Sequence, residues 1–167
     1  MDYKKILETK WFSLNTVHYQ SSDEEPYYYL SIPDSVEILA FTENNEIILV
    51  RQYRPAIGIS MLELPAGYIN PDEKPDDAVK RELTEETGYI CDKIDYLGSF
   101  KNFPSRANNT LHLFFGSNSL LSLDDFDNDH EVVLLTQNKF ISLIEKGDFF
   151  SVSGIATYYL TKTKGFL

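Results

Sequence analysis

The chain has 167 residues, of which 43% are hydrophobic and 25% charged, a composition that suits one folded domain with a sizeable core. A formal net charge of −11 argues against a nucleic-acid backbone as a main partner, and the single cysteine, Cys91, excludes an internal disulfide and a cysteine-cluster zinc site. No run is apolar enough to cross a bilayer and no apolar leader follows Met1, so no membrane association and a cytoplasmic location are expected.

In chain order, residues 11–20 read as a strand, residues 21–26 as a polar turn and residues 27–32 as the returning strand. Residues 36–42 form a buried strand, with a hairpin-like turn at Glu43-Asn44-Asn45 and a partner strand over 46–53. A loop over 54–60 and a short strand over 61–64 follow. Residues 65–74 are rich in Gly and Pro and are predicted to be mostly loop. Pro75 opens a helix running to about Thr87, with Asp76 and Asp77 at its positive end and Gly88 as its stop. Strands are expected over 94–101 and 110–116, separated by the loop 102–109. An acidic connector over 120–129 leads to a last strand over 131–135. Thr136 is expected to cap a helix over 138–146, and Ser151 or Ser153 one reaching about Lys162. Interspersed strands and helices without a regular βαβ repeat indicate an α+β or α/β sandwich.

The most informative segment is 65–89. Glu82, Glu85 and Glu86 have the i, i+3, i+4 spacing that lines one helix face. Taken alone, such a stripe is ordinarily a solvated acidic surface. Here it follows Leu64-Pro65-Ala66-Gly67, which permits close backbone approach, and Arg81 stands among the carboxylates where its guanidinium can orient them. Clustered oxygen ligands of this kind suit a hard cation such as Mg²⁺.

Gly67, Glu73, Arg81-Glu82-Leu83, Glu85-Glu86 and Gly88-Tyr89 resemble the Nudix box: Gly, five residues, Glu, seven residues, then Arg-Glu-aliphatic-any-Glu-Glu-any-Gly-aliphatic. Seven fixed identities meet by chance with odds on the order of 10⁻⁹ per start position. Tyr89 departs from the aliphatic preference. The resemblance implies a Nudix fold, a mixed β-sheet sandwiched between helices with the box as loop, helix and loop. It implies that Glu82, Glu86 and the Ala66 carbonyl ligate Mg²⁺ (Mn²⁺ being the alternative), that Glu85 ligates or supports, and that Glu73 with Arg81 fixes the loop to the helix.

Beyond the box, Val50 to Pro55, Leu62 to Gly67, Pro104 and the helix after Phe140 are similar to the ADP-ribose/ADP-sugar pyrophosphatase branch. The guanidinium groups of Arg51 and Arg54 suit phosphate or adenine-side contacts. For Arg51 a pairing with Glu63 that holds the strands is an equal alternative, and for Arg54 a surface ion pair is the competing role. Of Tyr28 and Tyr29, alternation lets one face the site, and Tyr28 is the candidate for stacking on a base. Where the branch carries a further Glu, this chain has Asn128, so the proton acceptor is expected in the acidic loop at Asp127, Asp129 or Glu131, Glu131 first because the strand after it anchors its backbone, with Glu85 as the alternative. The loop after Pro104 also lacks the branch's usual Pro-Gly and Glu.

The resemblance thus implies Mg²⁺-dependent hydrolysis of the diphosphate bond of a nucleoside diphosphate sugar, with ADP-ribose giving AMP and ribose 5-phosphate. GDP-mannose or another nucleotide sugar is the alternative, and a non-catalytic nucleotide-sugar sensor the rival from another class. Trp11, Phe12, Tyr27, Tyr28 and Tyr29 are more aromatic surface than an isolated hairpin can bury. Residues 1–35 are therefore expected to form an antiparallel β extension that makes a homodimer, ahead of a Nudix domain over 36–167.

Overall fold

The computed structural model describes residues 2–18, 25–122 and 131–167. Strands β1 (Asp2–Glu8), β2 (Ser13–His18) and β3 (Tyr27–Ser31) form a separate three-stranded antiparallel sheet. β1 was not foreseen from the sequence. All seven of its residues are exposed, and its apolar positions Tyr3, Ile6 and Leu7 do not alternate, because a bulge interrupts the register between Lys5 and Leu7.

The second sheet contains eight strands: β4 (Ser35–Thr42), β5 (Glu46–Arg54), β6 (Ile59–Glu63), β7 (Ala66–Tyr68), β8 (Tyr89–Ile90), β9 (Lys93–Phe100), β10 (Leu111–Leu121) and β11 (Glu131–Thr136). Its central path runs β11-β5-β4-β10-β8, with β6 on β5, β7 on β4 and β9 on β10. β10 runs parallel to β4 and the other pairings are antiparallel, so the sheet is mixed. β4 and β5 share the register pair Phe41–Ile47 beside their hairpin and then separate, β6 continuing along β5 and β7 along β4. A cleft opens where they part.

Helix α1 (Pro75–Thr87) covers one face of this sheet. Ala78, Val79 and Leu83 from the helix pack with Val36, Ile38, Ala40, Ile48 and Phe114 from the strands. Helices α2 (Gln137–Lys146) and α3 (Val152–Thr163) bring Phe140 and Tyr158 against Leu39, Phe41 and Leu49 on the other face. Odd and even residues of β4 and β5 serve opposite helices, so both strands read as continuous apolar runs. Complete burial of side chains such as Leu83 and Phe140 stabilises the sandwich by about 1.5–3 kcal/mol each. The mixed sheet between helices is the expected Nudix-type fold.

Several local expectations need correction. Residues 66–68, read as loop, form β7, a three-residue strand with glycine at its centre that carries no propensity signal. β8 also escaped notice, being only two residues long. β10 extends into the supposed connector as far as Leu121, past a register shift between Gly116 and Ser119 at which Asn118 takes a φ of 58° and breaks the alternation. Thr136 occupies the N-cap of α2, but its side chain makes no cap hydrogen bond. Ser151 caps α3, accepting from the Gly154 N–H at 3.1 Å, which leaves Ser153 free for another contact.

Candidate active site

The 66–74 segment and α1 meet through glycine and arginine. A Cβ on Gly67 would stand 2.1 Å from the Glu82 carboxylate carbon, so the tight approach of β7 to α1 requires glycine. The Ala66 N–H donates to Glu86 Oε2 at 3.0 Å. Arg81 grips Glu73 with both arms of its fork, Nε to Oε1 at 2.8 Å and Nη2 to Oε2 at 2.9 Å, and Nη2 also donates to the Tyr68 carbonyl. Its Nη1 donates to Glu82 at 2.7 Å and Glu85 at 3.0 Å. Arg81 is thus a hub that ties the loop to the helix and fixes the neighbouring carboxylates. Its guanidinium holds the Glu73 carboxyl down at about 2.

Glu82 and Glu86 behave in the opposite way. Burial pushes both carboxyl groups up, Glu86 to about 7 despite the Ala66 N–H. Two carboxylates one turn apart are therefore held, partly buried, against their own electrostatic preference. A hard cation relieves that cost, and the all-oxygen donor set fits Mg²⁺. Among the described residues no three His, Cys, Asp or Glu side chains converge to hold an ion by themselves. Glu82 and Glu86 fit a cation that takes its remaining ligands from a backbone carbonyl, water and substrate oxygens, as Mg²⁺ commonly does. Glu85 is exposed and tied to Arg81.

A cavity of about 400 Å³ adjoins this helix edge, with Arg54, Glu63, Ala66, Gly67, Tyr68 and Glu37 in its lining. Strand register decides which arginine reaches it. Glu63 pairs with Val50, on the face of β5 shared by Gln52 and Arg54. Arg54 accordingly makes the forked ion pair with Glu63, Nε to Oε1 at 3.0 Å and Nη2 to Oε2. The Arg51–Glu63 alternative is corrected by this geometry. Arg51 points to the opposite face and pairs with Glu131, its register partner on β11, at 3.1 Å. Glu131 alternates with Val132 and lies on the α2 side of the sheet, away from α1. Asp127, Asn128 and Asp129 lie outside the described residues.

The tyrosines are also sorted by alternation. Tyr27 and Tyr29 line a second cavity of about 350 Å³ together with Pro104, Lys101 and Asn108, whereas Tyr28 lies on the other face of β3 and is exposed. The site thus brings together Arg54, Glu63, Ala66, Gly67, Glu82 and Glu86, and it does not gather Arg51, Tyr28, Pro104 or Glu131. The β3 segment is stitched to the loop after β9: Leu30 N–H donates to Arg106 O at 2.7 Å, Asn108 N–H to Leu30 O at 3.2 Å, and the Tyr27 hydroxyl to the Ser105 carbonyl. That stitching brings Leu30, Phe103 and Ala107 to the 400 Å³ cavity.

The sequence reading missed Glu37. It is the one charged side chain among the fully buried described residues, 4% exposed, and accepts from Ser153 Oγ and Thr157 Oγ1 of α3 at 2.6 Å each. Burial pushes its carboxyl up, opposed by those two hydroxyls. The available signal was an acidic residue inside the apolar run Val36-Glu37-Ile38-Leu39-Ala40.

The NUDIX domain profile matches residues 32–148. The methanol dehydrogenase activator of Bacillus methanolicus is 35% identical over 133 residues, covering 77% of this chain and 72% of that protein. The ADP-ribose pyrophosphatase of Bacillus subtilis (strain 168) is 31% identical over 133 residues, again 77% of this chain and 72% of its own. In fold, the chain resembles the crystal structure of an ADP compounds hydrolase, with a TM-score of 0.81 at 20% identity over 100% of this chain and 95% of that one.

Proposed function

Because the chain belongs to the Nudix hydrolase family, we propose that it hydrolyses the diphosphate bond of a nucleoside diphosphate sugar with Mg²⁺, most readily ADP-ribose to AMP and ribose 5-phosphate. The observation that supports this most directly is the half-buried Glu82–Glu86 pair, set against Ala66 and Gly67 at the edge of a cavity large enough for a nucleotide moiety. One of the relatives named above is an ADP-ribose pyrophosphatase, which supports the same reading.

In this mechanism Glu82, Glu86 and the Ala66 carbonyl would hold the metal, which would supply charge neutralisation for the diphosphate and a lowered pKa for water. Arg81 and Glu73 keep the loop and helix in fixed relation, so the carboxylates need little reorganisation on binding. Arg54, anchored by Glu63, presents a guanidinium edge for phosphate or base-side contact. The proton acceptor is a carboxylate of Asp127, Asp129, Glu131 or Glu85. The ion pair of Glu131 with Arg51 on the α2 side counts against the first expected candidate, and Asp127 and Asp129 lie outside the described residues. Single variants Asp127→Asn, Asp129→Asn, Glu131→Gln and Glu85→Gln assign the role, the base being the one whose loss lowers kcat and abolishes the acid limb of its pH profile. If all four keep kcat within about threefold, under about 1 kcal/mol of barrier, none is the base.

Product analysis across ADP-ribose, ADP-glucose, GDP-mannose and dinucleoside polyphosphates tests the activity and separates the GDP-mannose alternative. AMP and ribose 5-phosphate are expected as the fastest-formed products. Binding of these compounds without turnover at saturating Mg²⁺ or Mn²⁺ establishes the sensor instead. Cytoplasmic action is proposed with this substrate class. Among the described residues no helix is long and apolar enough to cross a membrane.

A further inference from the structure

We propose that Glu37 is a specificity-determining residue, a buried acceptor that takes hydrogen bonds from the sugar hydroxyls of the substrate seated in the 400 Å³ cavity. This rests on the reading of the chain as a nucleoside diphosphate sugar hydrolase.

The placement supports it first. In the β4–β7 ladder Glu37 is the register partner of Ala66, and Val36 that of Gly67. Ala66 donates to Glu86, and Gly67 packs on Glu82. Glu37 therefore stands one strand pairing, roughly 5 Å, from the backbone that positions the carboxylate pair. It lines the same cavity as Ala66, Gly67, Arg54 and Glu63. Its side chain lies on the α3 side of β4, opposite Glu82 and Glu86, and meets a group bound at that edge through the cleft between β4 and β5, where the cavity opens.

The chemistry supports it second. A carboxylate offers roughly four acceptor sites, and Ser153 and Thr157 fill one on each oxygen. Those two bonds lock the carboxylate in orientation while leaving acceptor capacity. Ser153 and Ser151 line the cavity beside it, and Glu63 adds a second carboxylate. A wall rich in acceptors and hydroxyls matches vicinal hydroxyls, which present several donors in fixed geometry. A site built to hydrogen-bond a hydroxyl also discriminates strongly, because the wrong sugar leaves buried polar groups unpaired.

The cost supports it third. Anchoring α3 to the sheet does not need a carboxylate. Its strand neighbours Val36 and Ile38 are wholly buried apolar residues, and well-packed apolar replacements of buried charges are often neutral or stabilising. A merely structural Glu37 is therefore a poor choice for the position, whereas a ligand-binding one is not.

The test uses the full chain with Glu37→Gln, Glu37→Met and, as a control for α3 anchoring, Thr157→Val. Steady-state constants are measured on two series, ADP-ribose and ADP-glucose, which vary the sugar, and ADP-, GDP- and UDP-glucose, which vary the base. Both Glu37 variants are expected to lose about tenfold or more in kcat/KM on the preferred sugar, mainly through KM. They are also expected to reduce the ADP-ribose to ADP-glucose ratio while leaving the ratios among bases within about twofold. Thr157→Val is expected to shift Tm with a smaller change in the sugar ratio. A uniform loss across both series, a change confined to the base series, or variants equal to wild type each overturn the proposal. If the wild-type protein turns over none of these compounds, the hydrolase reading fails on its own. Glu37 is then judged by calorimetric binding of ADP-ribose: weaker binding to Glu37→Met than to wild type supports the proposal, and equal binding, or none by either, overturns it.

Discussion

Single residues set the charge balance of the site. The folded, metal-free protein holds the Glu86 carboxyl at about 7, against an ordinary value of 4.5. Between those values the native state binds more protons than the unfolded chain, so stability is lost as pH rises. Glu82 and Glu37 shift in the same direction and add to the slope. With chelator present, Tm is expected to fall between pH 5 and 7.5, and Glu86→Gln to flatten that fall in part; an unchanged slope contradicts the burial of this charge. Mg²⁺ is expected to raise Tm in the wild type and much less in Glu86→Gln, since a ligand that binds only the native state stabilises it. Turnover should drop at least about a hundredfold in Glu82→Gln or Glu86→Gln with circular dichroism unchanged, as for loss of a metal ligand. Near-normal kcat at saturating Mg²⁺ in either variant removes the assignment. Gly67→Ala reaches the same carboxylate by another route: its Cβ would displace Glu82, and kcat is expected to fall about tenfold or more, because small misplacements at a reacting centre are costly.

Among the elements, α1 carries both core and chemistry. Its buried face of Ala78, Val79 and Leu83 fixes it on the sheet, and the adjoining edge presents Glu82 and Glu86. Pro75 at its start and Gly88 at φ 72° set its length, the Gly88 N–H closing on Thr84 O at 2.8 Å. Leu83→Ala is expected to cost about 2–5 kcal/mol by denaturant titration, from lost burial plus a residual cavity. Turnover measured well below the transition should nevertheless persist, because Leu83 points away from the carboxylates. A loss under about 1 kcal/mol would show that the helix is not anchored through this side chain. In α3 the Ser151 cap and the Ser153–Glu37 bond divide two neighbouring serines between helix termination and the cavity wall.

At the scale of the whole molecule, the three-stranded N-terminal sheet stands beside the main fold with Tyr3, Ile6, Leu7, Trp11 and Tyr28 exposed. We propose that a second copy of the chain covers this surface, as the aromatic content of the extension suggests. Light scattering at micromolar concentration is expected to give the mass of a homodimer, and Trp11→Ser with Tyr28→Ser to shift it toward the monomer. A wild-type monomer under those conditions contradicts this. The sequence by itself determined the helix over Pro75–Thr87, its glycine stop, the Arg81 hub and the Glu82–Glu86 pair, because those features depend on short spacings that a helix converts directly into geometry. It also determined the central strands β4 and β5, whose apolar runs leave little choice. Only the tertiary structure decided that Arg54 rather than Arg51 pairs with Glu63, that Tyr27 and Tyr29 rather than Tyr28 face the 101–108 loop, and that Glu131 turns toward α2. Each of these depends on strand register, where a slip of one residue sends a side chain to the other face and leaves the local composition unchanged. Glu37 was settled in the same way. Its partners Ser153 and Thr157 lie 116 and 120 residues away along the chain, and only the packing of α3 on β4 brings them to its carboxylate.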